Sequence, residues 1–306
     1  MTGSRRRPDA SVTADTPAPP AARGSERPEP PQRRALVNGA RWVVLGRPLS
    51  SYLAEALGSA WLVLAALTAV SVTMRADGAY LSSWPLTARL AVVGAVVGGS
   101  VAVFSLTPPG KESGAHLNPA ISLFMTVRGV LGVADLLGYT VFQLGGSVLG
   151  ALLARGLWGD RVTAVHDGLI QPGARWDGPA AVVLGELLST AVLLWVLAAM
   201  TARPRPRSTP WVVAAVIWGL ITATGSRTGA SFNPARNFGP HVVSGDYHLF
   251  WVYMLAPLAG TLVAAAALVP FAVREAWTHK VCCARDIHRY HQSRPTPRRH
   301  LPSSPR

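Results

Sequence analysis

Long apolar runs separated by short polar connections dominate the chain from about residue 51 to residue 272. Six can be marked, at 51–72, 86–106, 133–155, 179–200, 211–225 and 248–272. Several approach or exceed the ~20 residues that cross a bilayer as α-helix. Two shorter segments, beginning at Asn118 and Asn233, follow the second and fifth runs. A helix from Asn118 to Arg128 extends only about 15 Å at 1.5 Å per residue, half of a hydrocarbon core of about 30 Å. Each short segment therefore reaches the midplane without crossing it. The pattern predicts an all-α membrane protein with six transmembrane helices and two re-entrant half-helices.

The apolar pattern also repeats. "YLAEALGSAWLVL" from Tyr52 matches "VLGELLSTAVLLW" from Val183, "SGAHLNPA" matches "TGASFNPA", and "YTVFQLGGSVLGAL" from Tyr139 matches "YMLAPLAGTLVAAA" from Tyr253. Each unit, about 50–157 and 178–273, holds three spans and one half-helix. Three is odd, so the second unit enters the membrane from the opposite side. An inverted repeat with its special sites at the midplane is the consequence.

Composition adds orientation. The net charge is +14, but residues 1–48 hold nine Arg against four acids and residues 274–306 hold eight Arg and Lys against two. Most of the excess therefore lies in two Pro-, Arg- and Ser-rich tails, expected to be disordered and to lie beside anionic lipid on the cytoplasmic side. The connection "TARPRPRSTP" carries Arg203, Arg205 and Arg207 without an acid, which places it on the same side as both termini. The start of the chain has basic residues but no apolar stretch behind them, so the first span is expected to direct insertion. A multi-pass protein of the cell membrane with both termini cytoplasmic is the expectation. No aromatic interleaving accompanies the charge, which argues against nucleic acid. The two cysteines, Cys282 and Cys283, are adjacent and exclude a disulfide framework.

Asn is a favoured N-cap and Pro a favoured first helical residue, so Asn118-Pro119-Ala120 and Asn233-Pro234-Ala235 both start helices. Capping uses the side-chain oxygen and leaves the amide hydrogens to donate elsewhere. Ala120 and Ala235 are small enough for the two starts to touch. Inverted repeats bring them together from opposite faces, so two partly positive helix ends meet at the bilayer centre. Irregular backbone there survives when packed in protein or lining a wet cavity. Arg236, one turn beyond Asn233, costs about 2.5–3.5 kcal/mol on insertion scales and needs such a cavity or a partner. Glu55 and Glu186 are intramembrane carboxylates at matching repeat positions. They read either as loop supports or as a proton relay, and the second makes a proton-coupled secondary transporter the rival from another class.

Through "SGAHLNPAIS", "TGASFNPARNFGP" and the Glu of "LAEALGSAWLVL", residues 50–272 resemble the major intrinsic protein family, the aquaporins and aquaglyceroporins. The resemblance implies an aquaporin-like channel domain over 49–273 and a homotetramer in membrane lipid. It implies that Asn118 and Asn233 orient passing water, that Glu55, Glu186 and His116 support the loops, and that Arg236 belongs to a selectivity filter. Ungapped counting from Asn233 puts Ile221 and Ala230 in that filter. The second-span member falls on Ala95, or on Gly98 if the long connection "SLTPPGKESGAH" is ignored. Small, Ile, Ala, Arg is similar to plant nodulin-like filters that pass boric acid, urea or glycerol, and a water-selective pore is the alternative. Asn237 and His241 stand where the resemblance to glycerol channels implies Asp and a base, and Tyr253 and Met254 match neither the glycerol nor the water pattern. A non-conducting relative is a third reading, opposed by the absence of a large side chain at any filter position. No nucleophile motif or metal-ligand spacing among the eight His suggests an enzyme, a cofactor or a metal.

Overall fold

The computed structural model describes residues 43–44, 47–75, 81–173, 178–202, 207–268 and 280–281. Met1–Arg41 separates as a unit of its own and lies outside the described residues, and the fold belongs to the second unit, Trp42–Arg306. Most of both expected tails, with Cys282 and Cys283, lies outside the described residues too.

A two-residue antiparallel pair, β1 (Val43–Val44) and β2 (Arg47–Pro48), leads into α1 (Leu49–Thr73). There follow α2 (Leu86–Leu106), α3 (Pro108–Ser113), α4 (Pro119–Val127), α5 (Val133–Trp158) and α6 (Asp160–Thr163). After a 3-10 turn at His166–Gly168 come α7 (Pro179–Thr201), α8 (Thr209–Thr228), α9 (Pro234–Ser244) and α10 (Phe250–Leu268). Among the described residues six helices, α1, α2, α5, α7, α8 and α10, are long and apolar enough to cross a membrane. The half-helices are α4 and α9.

Two elements differ from expectation. The fifth span is longer than 211–225 because "GSRT", polar enough to read as a turn, stays helical until Gly229 adopts φ 87°. Within that turn the Arg227 guanidinium donates to the Ala223 carbonyl at 2.7 Å. The connection "TPPGKES" is not an open loop but α3. The Thr107 hydroxyl caps it by accepting from the Gly110 N–H at 3.2 Å, Pro occupies its first turn, and Gly114 ends it at φ 100°.

Lipid gives apolar helices no hydrophobic reason to pair, so close backbone approach over small residues must hold them. A Cβ on Gly146 of α5 would lie 2.0 Å from the Ala56 carbonyl oxygen of α1, and one on Gly150 2.5 Å from that of Ala60. The inverted counterpart is α10 on α7, where a Cβ on Gly260 would lie 2.5 Å from the Leu187 carbonyl. The second spans of the two repeats meet likewise, Gly94 against Trp218 and Gly98 against Ala214. Leu53, Leu57, Leu137, Val141, Leu184 and Leu188 stay exposed on the outside, as a lipid-facing surface requires.

Candidate functional site

Each half-helix is reached through a strained stretch. In the first repeat Gly114, Ala115 and Leu117 have φ of 100°, 54° and 50°; in the second Gly229, Ala230 and Phe232 have 87°, 53° and 37°. Left-handed backbone costs a non-Gly residue about 1–2 kcal/mol, so something must hold these loops. The buried carboxylates do so. Glu55 accepts from the His116 N–H at 3.0 Å and the Leu117 N–H at 2.7 Å; Gln143 Nε2 donates to it at 2.7 Å. Glu186 accepts from the Ser231 N–H at 3.0 Å, the Phe232 N–H at 2.6 Å and the Thr228 hydroxyl at 2.9 Å.

Further pairs repeat the inversion. The Tyr139 hydroxyl donates to the Ser113 carbonyl at 2.7 Å, and the Tyr253 hydroxyl to that of Thr228 at 2.9 Å. Ser147 donates to the Ala235 carbonyl and Thr261 to that of Ala120, so α5 and α10 each hold the opposite repeat's half-helix. The sequence reading missed these four hydroxyls and Gln143. The signal was present, since the matched stretches from Tyr139 and Tyr253 align both tyrosines and set Ser147 against Thr261.

The two Asn-Pro-Ala turns meet. Asn118 Oδ1 accepts from the Ala120 N–H at 2.8 Å, and Asn233 Oδ1 from the Ala235 N–H at 3.0 Å. Asn118 Nδ2 donates to the Phe232 carbonyl and Asn233 Nδ2 to the Leu117 carbonyl, both at 2.9 Å. Each amide is thus locked by the residue preceding the other Asn. One hydrogen of each NH2 remains for a guest. Both side chains line a central cavity of about 20 Å³, with Leu62, Val97, Val101 and Ile217 opposite. That is room for about one water.

Arg236 borders this cavity and a larger one of about 280 Å³ toward the face where α1 ends. Its Nη1 donates to the Ala230 carbonyl at 2.6 Å, which fixes the guanidinium across the opening. Ile221 and Gly229 share the wall of the larger cavity, and Ala230 is buried behind it. The second-span expectation needs correction. Ala95 lies on the exposed outer face of α2, and Gly98 is taken up by packing on Ala214. Leu90 and Val93 are the α2 residues in the wall with Ile221 and Arg236. Contact of Gly94 with Trp218 turns the helix so that Val93, not Ala95, faces inward. His116 is buried, its Nδ1 lies 3.0 Å from the Ser122 hydroxyl, and its ring meets Tyr139 edge-on while bordering the central cavity.

Six spans, two half-helices abutting at their N-terminal ends and an arginine one turn away define a membrane protein built around a polar midplane site. The chain belongs to the major intrinsic protein family, whose model matches residues 46–268. It is 36% identical over 200 residues to aquaporin TIP4-1 of Zea mays, covering 63% of this chain and 75% of that one. Against probable aquaporin TIP2-2 of Oryza sativa subsp. japonica it is 31% identical over 217 residues, 69% of this chain and 83% of the relative. Against probable aquaporin TIP4-2 of the same rice it is 38% identical over 162 residues, spanning 60% of that relative's length and 51% of its own. The X-ray structure of the aquaglyceroporin from Plasmodium falciparum shares the fold, with TM-score 0.60 and 21% identity over 73% of this chain and 98% of that one.

Proposed function

We propose that the protein is a passive channel for water and small uncharged solutes of the glycerol, urea or boric acid kind, closed to protons and ions. The reciprocal lock of Asn118 and Asn233 carries this reading. It leaves two fixed donors at a constriction between two helix N-termini, so a water there accepts from both and is held from relaying a proton to its neighbours. Arg236 adds a positive charge at the outer constriction, where Val93 and Ile221 offer apolar surface to a carbon skeleton. The transporter reading is weaker, because both carboxylates are buried and occupied in accepting from loop groups. The basic connection between α7 and α8 supports a cytoplasmic position for both termini in the cell membrane. The exposed apolar flanks suit lipid and neighbouring copies in a homotetramer.

In proteoliposomes, solute flux should follow its own gradient, ignore an imposed pH gradient and carry no proton current. Uptake driven by a pH gradient and lost in Glu55→Gln or Glu186→Gln would establish the transporter instead. Arg236→Val should admit a leak of protons or small cations while uncharged solutes still pass, read as decay of an imposed potential. Unchanged permeability to every species would remove Arg236 from the pore.

A further inference from the structure

A positive field repels cations but attracts anions. Arg236 and the two helix N-termini gather such a field along one path, so something other than potential must stop an anion. Size supplies the stop. The central cavity of about 20 Å³ has room for about one water, and a carboxylate must shed its hydration to enter it, which is costly for a charge. The larger cavity bordered by Arg236, about 280 Å³, approaches the ~300 Å³ of pockets that take small organic ligands. We propose that this larger cavity is a binding site for small aliphatic monocarboxylates, which seat the carboxylate on Arg236 and block the channel. The inference names a ligand for the channel proposed above and rests on that reading.

Arg236 is 6% exposed, and of the five N–H donors of a guanidinium one, on Nη1, goes to the Ala230 carbonyl. The others are left for a guest. No carboxylate among the described residues pairs with it, because Glu186, the buried acid of the same repeat, already accepts from Ser231, Phe232 and Thr228. A planar carboxylate matches the guanidinium fork through two parallel hydrogen bonds. The wall defines the rest of the ligand. Among the described residues Arg236 is the one charged side chain in the lining, and Leu67, Val70, Leu86, Leu90, Leu169 and Ile170 make most of the remainder aliphatic. An alkyl chain finds contact there that a polyol does not use. The lip that carries Leu169 and Ile170 is fixed in place, since the Gly173 N–H donates to the Arg227 carbonyl at 2.8 Å and a Cβ on Gly168 would lie 2.7 Å from Leu67 Cγ.

The test measures water flux in proteoliposomes of the full chain at neutral pH with acetate, butyrate or hexanoate on both sides, against hexanamide and against empty vesicles. Calorimetry in detergent reads binding of the same compounds apart from flux. The half-blocking concentration should fall about fourfold for each added methylene, the ratio set by burial of one CH2, and hexanamide should not block. Arg236→Val should abolish the block. Leu86→Glu places an acid on the wall at the first turn of α2, a half-exposed site where a helix N-terminus favours it, so the variant is expected to fold. It should raise the half-blocking hexanoate concentration at least fivefold, while Leu86→Gln, of the same size without the charge, should raise it less than twofold. Equal block by hexanamide, or equal change in the two Leu86 variants, overturns the pairing with Arg236. A hexanoate current through the protein overturns the block. Wild type that passes neither water nor solute without any acid overturns the channel reading, whereas hexanoate binding absent by calorimetry overturns the site and leaves that reading intact.

Discussion

Glu186→Leu should abolish recovery of folded protein. The leucine fills much of the same space, but it leaves the Ser231 and Phe232 N–H groups and the Thr228 hydroxyl without their acceptor in a site closed to water. An orphaned buried donor costs about 1–3 kcal/mol. Three together approach the ~5–15 kcal/mol by which a domain is stable at all. Relief of the buried carboxylate's desolvation offsets part of this, since burying a charge is itself costly. It does not offset the rest, because the donors stay in place and the Ala230 and Phe232 backbone they steady remains left-handed. Glu186→Gln, which keeps one acceptor oxygen, should fold with a lowered melting temperature. Size-exclusion profiles and thermal unfolding in detergent read both variants. Normal yield and stability of Glu186→Leu would mean that the second half-helix is held by other contacts.

The second large effect is expected from narrowing the outer constriction. Val93→Phe with Ile221→His replaces two aliphatic walls facing Arg236 by rings, one apolar and one a hydrogen-bond donor. Glycerol, urea and boric acid flux should fall by at least tenfold while water flux persists, because water is smaller and needs only the polar side of the opening. The placement of Val93 has its own control. Ala95→Phe, on the exposed face of α2, should leave solute flux unchanged. Loss of flux in Ala95→Phe and its retention in the double variant would restore Ala95 to the wall and displace Val93.

The six spans and both half-helices were legible because apolar length and an Asn-Pro start are local signals. The loop carboxylates were legible too, since an unpaired Glu in an apolar run demands a partner and the repeat shows where to look. The facing of α2 was not. Val93, Ala95 and Val97 are all apolar, and no polar stripe tells which side faces water. That choice is made at long range, by Gly94 and Gly98 closing on Trp218 and Ala214. The helix α3 escaped notice for a different reason. Its Thr-Pro start is a capping signal, but Gly110 and the polar "KES" resemble a turn until Gly110 is seen pressed against the Phe104 carbonyl.

Stopped-flow light scattering on proteoliposomes tests the central claim most directly. Vesicles containing the protein should shrink under an impermeant osmolyte much faster than empty ones. They should then re-swell under inward glycerol, urea or boric acid gradients at rates far above the bare bilayer. An accelerated water phase with re-swelling no faster than in empty vesicles for all three solutes would contradict a wide, aliphatic constriction at Val93 and Ile221 and leave a water-selective pore.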